Sequence, residues 1–85
     1  MEKFSYRVKD PAGIHASPAG IIVKEASKYN SDIKIYANEK EADAKKIFAV
    51  MSLGIMVGDE ITVTISGDDE SSAKANLSSV IGENL

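Results

Sequence analysis

The sequence predicts an α+β domain in two layers, a single sheet whose one apolar face is covered by helices, in the order β-α-β-β-α-β-α. Three observations carry this. Apolar residues switch repeatedly between a period of two and a period near 3.6. Clusters of turn-forming residues separate the segments. And 85 residues hold one modest core and no second one, so positions 1–85 form a single domain.

Phe4, Tyr6 and Val8 alternate with Ser5, Arg7 and Lys9, which predicts a first strand with one buried face. Asp10-Pro11-Ala12-Gly13 breaks it. Ala19, Ile22, Val23, Ala26 and Tyr29 share one stripe of a helix running from about Ala16 to Tyr29, with Asn30-Ser31 as its exit. Ile33 and Ile35 mark a second strand, with Lys34 and Tyr36 on its other face. Ala37-Asn38-Glu39-Lys40 then turns the chain into a short strand near Glu41 to Asp43. A short helix follows from about Ile47 to Leu53, ended by Gly54. Ile61, Val63 and Ile65 alternate with Thr62, Thr64 and Ser66 in the clearest strand of the chain. The last helix opens on Asp68, Asp69 and Glu70, carboxylates suited to the positive end of a helix dipole, and carries the stripe Ala73, Leu77, Val80 and Ile81.

Composition narrows the function classes. Without cysteine there is no disulfide framework and no thiolate metal site. The charged, alternating start MEKFSYRVKD is unlike a signal peptide, and no apolar run approaches the roughly 20 residues of a membrane span. A formal charge of −3 argues against nonspecific nucleic-acid binding. A soluble, cytoplasmic, monomeric domain is the expectation.

The only histidine lies in GIHASPAG, residues 13–20, among small side chains and just ahead of a proline. With His15 as N-cap, Ala16, Ser17 and Pro18 form the first helical turn. Proline is tolerated there because its missing N–H would lack an intrahelical partner. The Nδ1 atom of a capping imidazole lies where a capping oxygen would, near the free N–H groups of Ala16 and Ser17. Those donors and the helix dipole disfavour imidazolium, so the ring stays neutral and nucleophilic near pH 7. An anion attached to Nδ1 meets ready donors. A lone histidine at a helix start also serves as a simple cap or surface residue. A metal site is disfavoured, since zinc takes three or four ligands and no second histidine or cysteine exists. A hydrolase built on Ser17 and His15 lacks an orienting third group in the sequence.

GIHASPA resembles the active-site segment of the HPr family, the histidine-containing phosphocarriers of the bacterial sugar phosphotransferase system, whose usual form is GLHARPA. The likeness covers essentially the whole chain. The element order, the stretch Ala44-Lys45-Lys46-Ile47-Phe48-Ala49-Val50-Met51-Ser52-Leu53-Gly54 and the opening Gly67-Asp68-Asp69-Glu70 sit where the family places them. The resemblance implies an open-faced two-layer β-sandwich, a four-stranded antiparallel sheet covered on one face by three helices. It implies that His15 takes a phosphoryl group on Nδ1 from enzyme I, itself charged from phosphoenolpyruvate, and passes it to enzyme IIA domains in sugar transport. The chain is then a phosphoryl carrier with a phosphohistidine intermediate and no cofactor, not a stand-alone turnover enzyme. Backbone N–H groups of Ala16 and Ser17 become the phosphate ligands. Ile47, Phe48 and Met51 become an exposed apolar docking patch, with Val50 and Leu53 in the core. Gly20 and Lys24 extend the docking face, and Lys45 and Lys46 form a basic rim suited to acidic partner surfaces.

Two positions depart from the family pattern. Ser17 stands where arginine is usual, and Lys46 stands where many members carry a serine phosphorylated by a regulatory kinase. Serine offers a backbone N–H and a hydroxyl to a phosphoryl group but no charge. The alternative function is therefore an HPr-like regulatory or binding module, engaging regulatory proteins with weak or no phosphoryl transfer.

Overall fold

The structure, a computed structural model, describes residues 1–11 and 18–85 in full and the backbone of residues 16 and 17. Its elements are β1 (Glu2–Arg7), α1 (Ala16–Ala26), β2 (Asp32–Ala37), β3 (Lys40–Asp43), α2 (Ile47–Met51), β4 (Glu60–Ser66) and α3 (Glu70–Asn84). The four strands form one antiparallel sheet in the order β1-β4-β2-β3. The predicted order and class are those observed.

Alternation explains the sheet. Across it, Phe4 faces Val63, Val63 faces Ile35, and Ile35 faces Ala42, one apolar row spanning all four strands. Ile33, Ile61 and Ile65 are also buried, and Ala19, Ile22, Ala26, Val50, Ala73, Leu77 and Ile81 close the core from the helical layer. The other face of the sheet is polar and open, with Ser5 against Thr62 at 3.2 Å and Lys34 against Glu41 at 3.5 Å. An exposed ion pair of that kind contributes about 0–1 kcal/mol, so the buried face supplies the stability.

The β2–β3 turn is made by Asn38 and Glu39, both at positive φ (53° and 63°), the twist that a two-residue hairpin needs. Asn38 also locks the turn to its surroundings. Its amide donates to the Leu53 carbonyl at 3.0 Å, to the Gly54 carbonyl at 3.3 Å and to the Asp59 carboxylate at 3.3 Å.

Both short-range helix boundaries fall earlier than the periodicity predicts. In α1 the Ser27 N–H (2.9 Å) and hydroxyl (2.7 Å) converge on the Val23 carbonyl. The next two bonds, Lys28 N–H to Glu25 and Tyr29 N–H to Ala26, reach back only three residues, so the last turn tightens and the α-helix ends at Ala26. Tyr29 keeps its inward place even so. Its hydroxyl donates to Glu25 at 2.8 Å and accepts from Asn76 at 2.6 Å, joining α1 to α3. In α2 the helix stops at Met51, and Leu53 and Gly54 again bond three residues back, with Gly54 at φ 64°. Leu53 and Val50 are buried as expected.

Asp69 stands at the positive end of α3 as expected, and its carboxylate has a further use there. It occupies the N-cap position of α3, but its side chain makes no cap bond to that helix. Its carboxylate instead accepts from the Asn30 N–H at 2.8 Å, the Ser31 N–H at 3.0 Å and the Ser31 hydroxyl at 2.5 Å, tying the α1–β2 loop to the start of α3. Glu70, the first residue of α3, accepts from the Gly67 N–H at 3.1 Å in the preceding turn and pairs with the Met1 ammonium at 2.8 Å.

These bonds hold the Asp69 carboxyl below its ordinary value, the Ser31 hydroxyl first and the Asn30 N–H next. Glu70 is lowered likewise, mainly by the Met1 ammonium. A depressed carboxylate contributes stability that is present above its unfolded pKa and is lost as pH falls through the folded one. Thermal melting should therefore show stability declining from about pH 4 downward, the ordinary carboxylate range. Asp69→Asn should lower the neutral-pH Tm and flatten that acid limb. An acid limb as steep as that of the parent would remove Asp69 from this account.

Candidate functional site

Helix α1 begins at Ala16, the residue that follows His15 in the chain, so Ala16 and Ser17 are its first two residues, as the sequence predicts. His15, the expected phosphoryl acceptor, lies outside the described residues, as do Ala12 and Gly13. Pro18 is buried in the first turn, where no backbone donor is needed. Ala19 beside it is fully buried against the core. No acidic residue stands in the first turn of α1, so nothing on the helix itself neutralises its positive end.

The helix α2 lies on α1. A Cβ on Gly20 would sit 3.8 Å from Cδ1 of Ile47, ordinary contact distance, which marks where the two helices meet. The expected docking residues divide along this contact. Phe48 is 81% exposed and Met51 37%, while Ile47 is half-buried and packs against the core. Gly20 is likewise half-buried and faces α2, whereas Lys24 is exposed. The reason is geometric. A five-residue helix buries one narrow stripe, here Val50 with Ile47 at its edge, and leaves Phe48 on the far side.

The two lysines before α2 also divide. Lys46 is exposed, at the N-cap position, with no side-chain cap bond. Lys45 is half-buried, and its ammonium donates to the Tyr29 carbonyl at 2.7 Å, while its N–H donates to the Asp43 carboxylate at 2.9 Å. Tyr29 stands next to Glu25, whose carboxyl is lowered by the tyrosine hydroxyl and by Lys28; burial raises the Tyr29 phenol. Of the two, Lys46 presents its charge outward.

Three exposed apolar residues were not anticipated as surface: Ile21 on α1, and Met56 and Val57 in the loop before β4. The loop is held in shape. The Asp59 carboxylate accepts from the Met56 N–H at 2.9 Å and from Asn38. The signal for it was present in Ile55-Met56-Val57, three successive apolar residues between Gly54 and Gly58. A loop cannot turn three consecutive side chains inward, and only Ile55 is buried.

The arrangement amounts to a helix start directly after the chain's sole histidine, beside a short helix with an outward phenylalanine. Among the described residues no group of metal-ligating side chains occurs, and no helix is long and apolar enough to cross a membrane.

Comparison with known proteins adds to this geometry. A family model described as the phosphorylation site of the HPr component of the phosphotransferase system matches residues 2–83. The chain is similar to the phosphocarrier protein HPr of Mycoplasma capricolum, 47% identical over 73 residues covering 86% of this chain and 82% of that one. It is similar to the phosphocarrier protein HPr of Mycoplasma genitalium, 44% identical over 85 residues, 99% of this chain and 97% of that one. A solved structure of a mycoplasma histidine-containing phosphocarrier protein superposes with a TM-score of 0.94 at 40% identity, covering 96% of this chain and 93% of that one. Likeness in sequence over nearly the full length and in three dimensions thus agrees with the helix start after His15, and the chain belongs to the HPr family, the phosphocarriers of the sugar phosphotransferase system.

Proposed function

We propose that His15 carries the phosphoryl group, taking it from phosphorylated enzyme I on Nδ1 and surrendering it to enzyme IIA domains, in the cytoplasm and as a monomer. The observation that carries this reading is the position of the chain's sole imidazole, one residue ahead of a helix whose first turn holds no carboxylate. Phosphorus forms its bond to Nδ1 as the bond to the donor breaks, and the transferred oxygens meet the N–H groups of Ala16 and Ser17 and the positive helix end. A group that is both received and given up is best held at a helix start, by backbone donors that do not trap it. Phe48 and Met51 offer the apolar contact for partners, and Lys46 and Lys24 the rim charge.

The test is incubation with phosphoenolpyruvate and the cognate enzyme I, followed by a search for one added phosphoryl group that is acid-labile and base-stable and that passes on to an enzyme IIA domain. A folded protein that gains none would sink the carrier reading in favour of the regulatory one. Ser17 is what favours that second reading, because it supplies no guanidinium to the phosphoryl oxygens. Hydrogen bonds to charged groups contribute about 1.5–3 kcal/mol, so Ser17→Arg should speed acceptance roughly tenfold or more. An unchanged rate in stopped mixing would show that the serine is no handicap. Lys46 carries no hydroxyl, so the regulatory serine phosphorylation of the family is not expected at that position.

A further inference from the structure

The geometry points to Lys45 as a positioning residue, one that sets α2 on α1 rather than meeting a partner itself. This rests on the reading of α2 as a docking helix. A helix of five residues does not hold itself in water, and its place must come from what it is tied to. Two ties are intrinsic to its apolar side, the buried Val50 and Ile47, which packs against the core beside Gly20. The third is polar and lies just before the helix. The Ala44 N–H donates to the Ile33 carbonyl at 2.9 Å and the Lys45 N–H to the Asp43 carboxylate at 2.9 Å, which fixes the backbone from which the Lys45 side chain departs. That side chain then crosses to the far end of α1, where its ammonium meets the Tyr29 carbonyl at 2.7 Å.

A cation just beyond the C-terminal turn of a helix is favoured by the dipole as well as by the hydrogen bond. Lys45 thus pins the approach to α2 at one end of α1 while Ile47 packs beside Gly20 nearer its other end. Two separated points of attachment define an orientation, where one would leave a pivot. Adjacent Lys46 is exposed and has no such tie, so the two lysines do different work in spite of being neighbours of the same type.

The difference is measurable. An exposed charge that meets a partner makes association salt-dependent, whereas a half-buried charge spent on an internal carbonyl does not. Acceptance of phosphoryl from enzyme I is followed against protein and salt concentration for Lys45→Met, Lys46→Met and Lys45→Arg, with amide hydrogen exchange of α2 measured on each protein alone. Lys45→Met keeps the aliphatic stem but loses the donor, and it should raise KM roughly fivefold with the salt slope of KM unchanged. Lys45→Arg should restore KM, and Lys46→Met should flatten the salt slope. Exchange at Val50 to Leu53 should quicken in Lys45→Met and return in Lys45→Arg. A salt slope flattened by Lys45→Met as by Lys46→Met would make Lys45 a docking charge. A lowered Tm with KM unchanged would make it a structural pin, and unchanged exchange would deny it any hold on α2. If the parent protein accepts no phosphoryl group, the docking reading fails, and the exchange measurement still decides whether Lys45 sets α2.

Discussion

His15→Ala will take up no phosphoryl group from phosphorylated enzyme I under conditions where the parent protein is labelled to completion. The sequence holds one histidine, so no second imidazole can substitute. A carboxylate acceptor would give a base-labile product instead of a base-stable one. Loss should be complete rather than partial, since the substitution removes the atom that bonds to phosphorus and not a group that assists it. Because a capping residue at a helix start contributes about 1 kcal/mol, a modest drop in Tm is expected beside it, and a melting curve separates that from unfolding. Labelling of His15→Ala at the parent rate, with the same acid lability, would place the acceptor elsewhere.

Gly67→Ala will be the most destabilising single methyl that can be added to a glycine among the described residues. A Cβ there would lie 2.6 Å from the Ser31 hydroxyl oxygen, 2.7 Å from its Cα and 2.9 Å from its Cβ. Ser31 has nowhere to retreat. It is buried, and Asp69 holds both its N–H and its hydroxyl. Overpacking of this kind costs about 3 kcal/mol, a large share of a stability that runs to about 5–15 kcal/mol in small domains. For a domain of this size the Tm should fall by about 15 °C. Gly82→Ala provides the opposite sign from the same chemistry. Beyond its own stretch of helix nothing lies within 4 Å of its added methyl, and it sits in α3, where alanine is the better helix former by about 1 kcal/mol. Equal Tm values for the two variants would show that the Ser31 approach is not tight in solution.

The elements that could be read from the sequence are those whose periodicity runs long enough to separate strand from helix. β4 and α3 are the clearest cases. Ile61, Val63 and Ile65 all face the core, as do Ala73, Leu77 and Ile81, with Val80 half-buried at the stripe's edge. The helix ends were less legible, because each was decided by bonds that reach three residues back, as at Tyr29 and Leu53, and a stripe of apolar residues continues through such a turn unchanged. α2 was harder still. Ile47, Phe48, Val50, Met51 and Leu53 are apolar around most of a helix, and nothing in their spacing says which face is covered. Family likeness, not periodicity, pointed to Phe48 and Met51 as surface, and it placed Ile47 there too, although that side chain packs half inside.

What the sequence determined by itself is the order of the elements, the inner faces of all but α2 and the placing of the lone histidine one residue before a helix. These follow from local alternation, from turn residues and from proline's fixed geometry, all of which act between near neighbours in the chain. What only the tertiary structure decided is which partners the charged side chains take. Asp69 turns from its own helix to a loop 38 residues away, and Lys45 turns inward to a carbonyl 16 residues away while Lys46 faces out. A carboxylate or an ammonium bonds to whichever unpaired backbone group the packed core brings within about 3 Å, and that neighbour is fixed by the meeting of helices and sheet, not by the residues on either side.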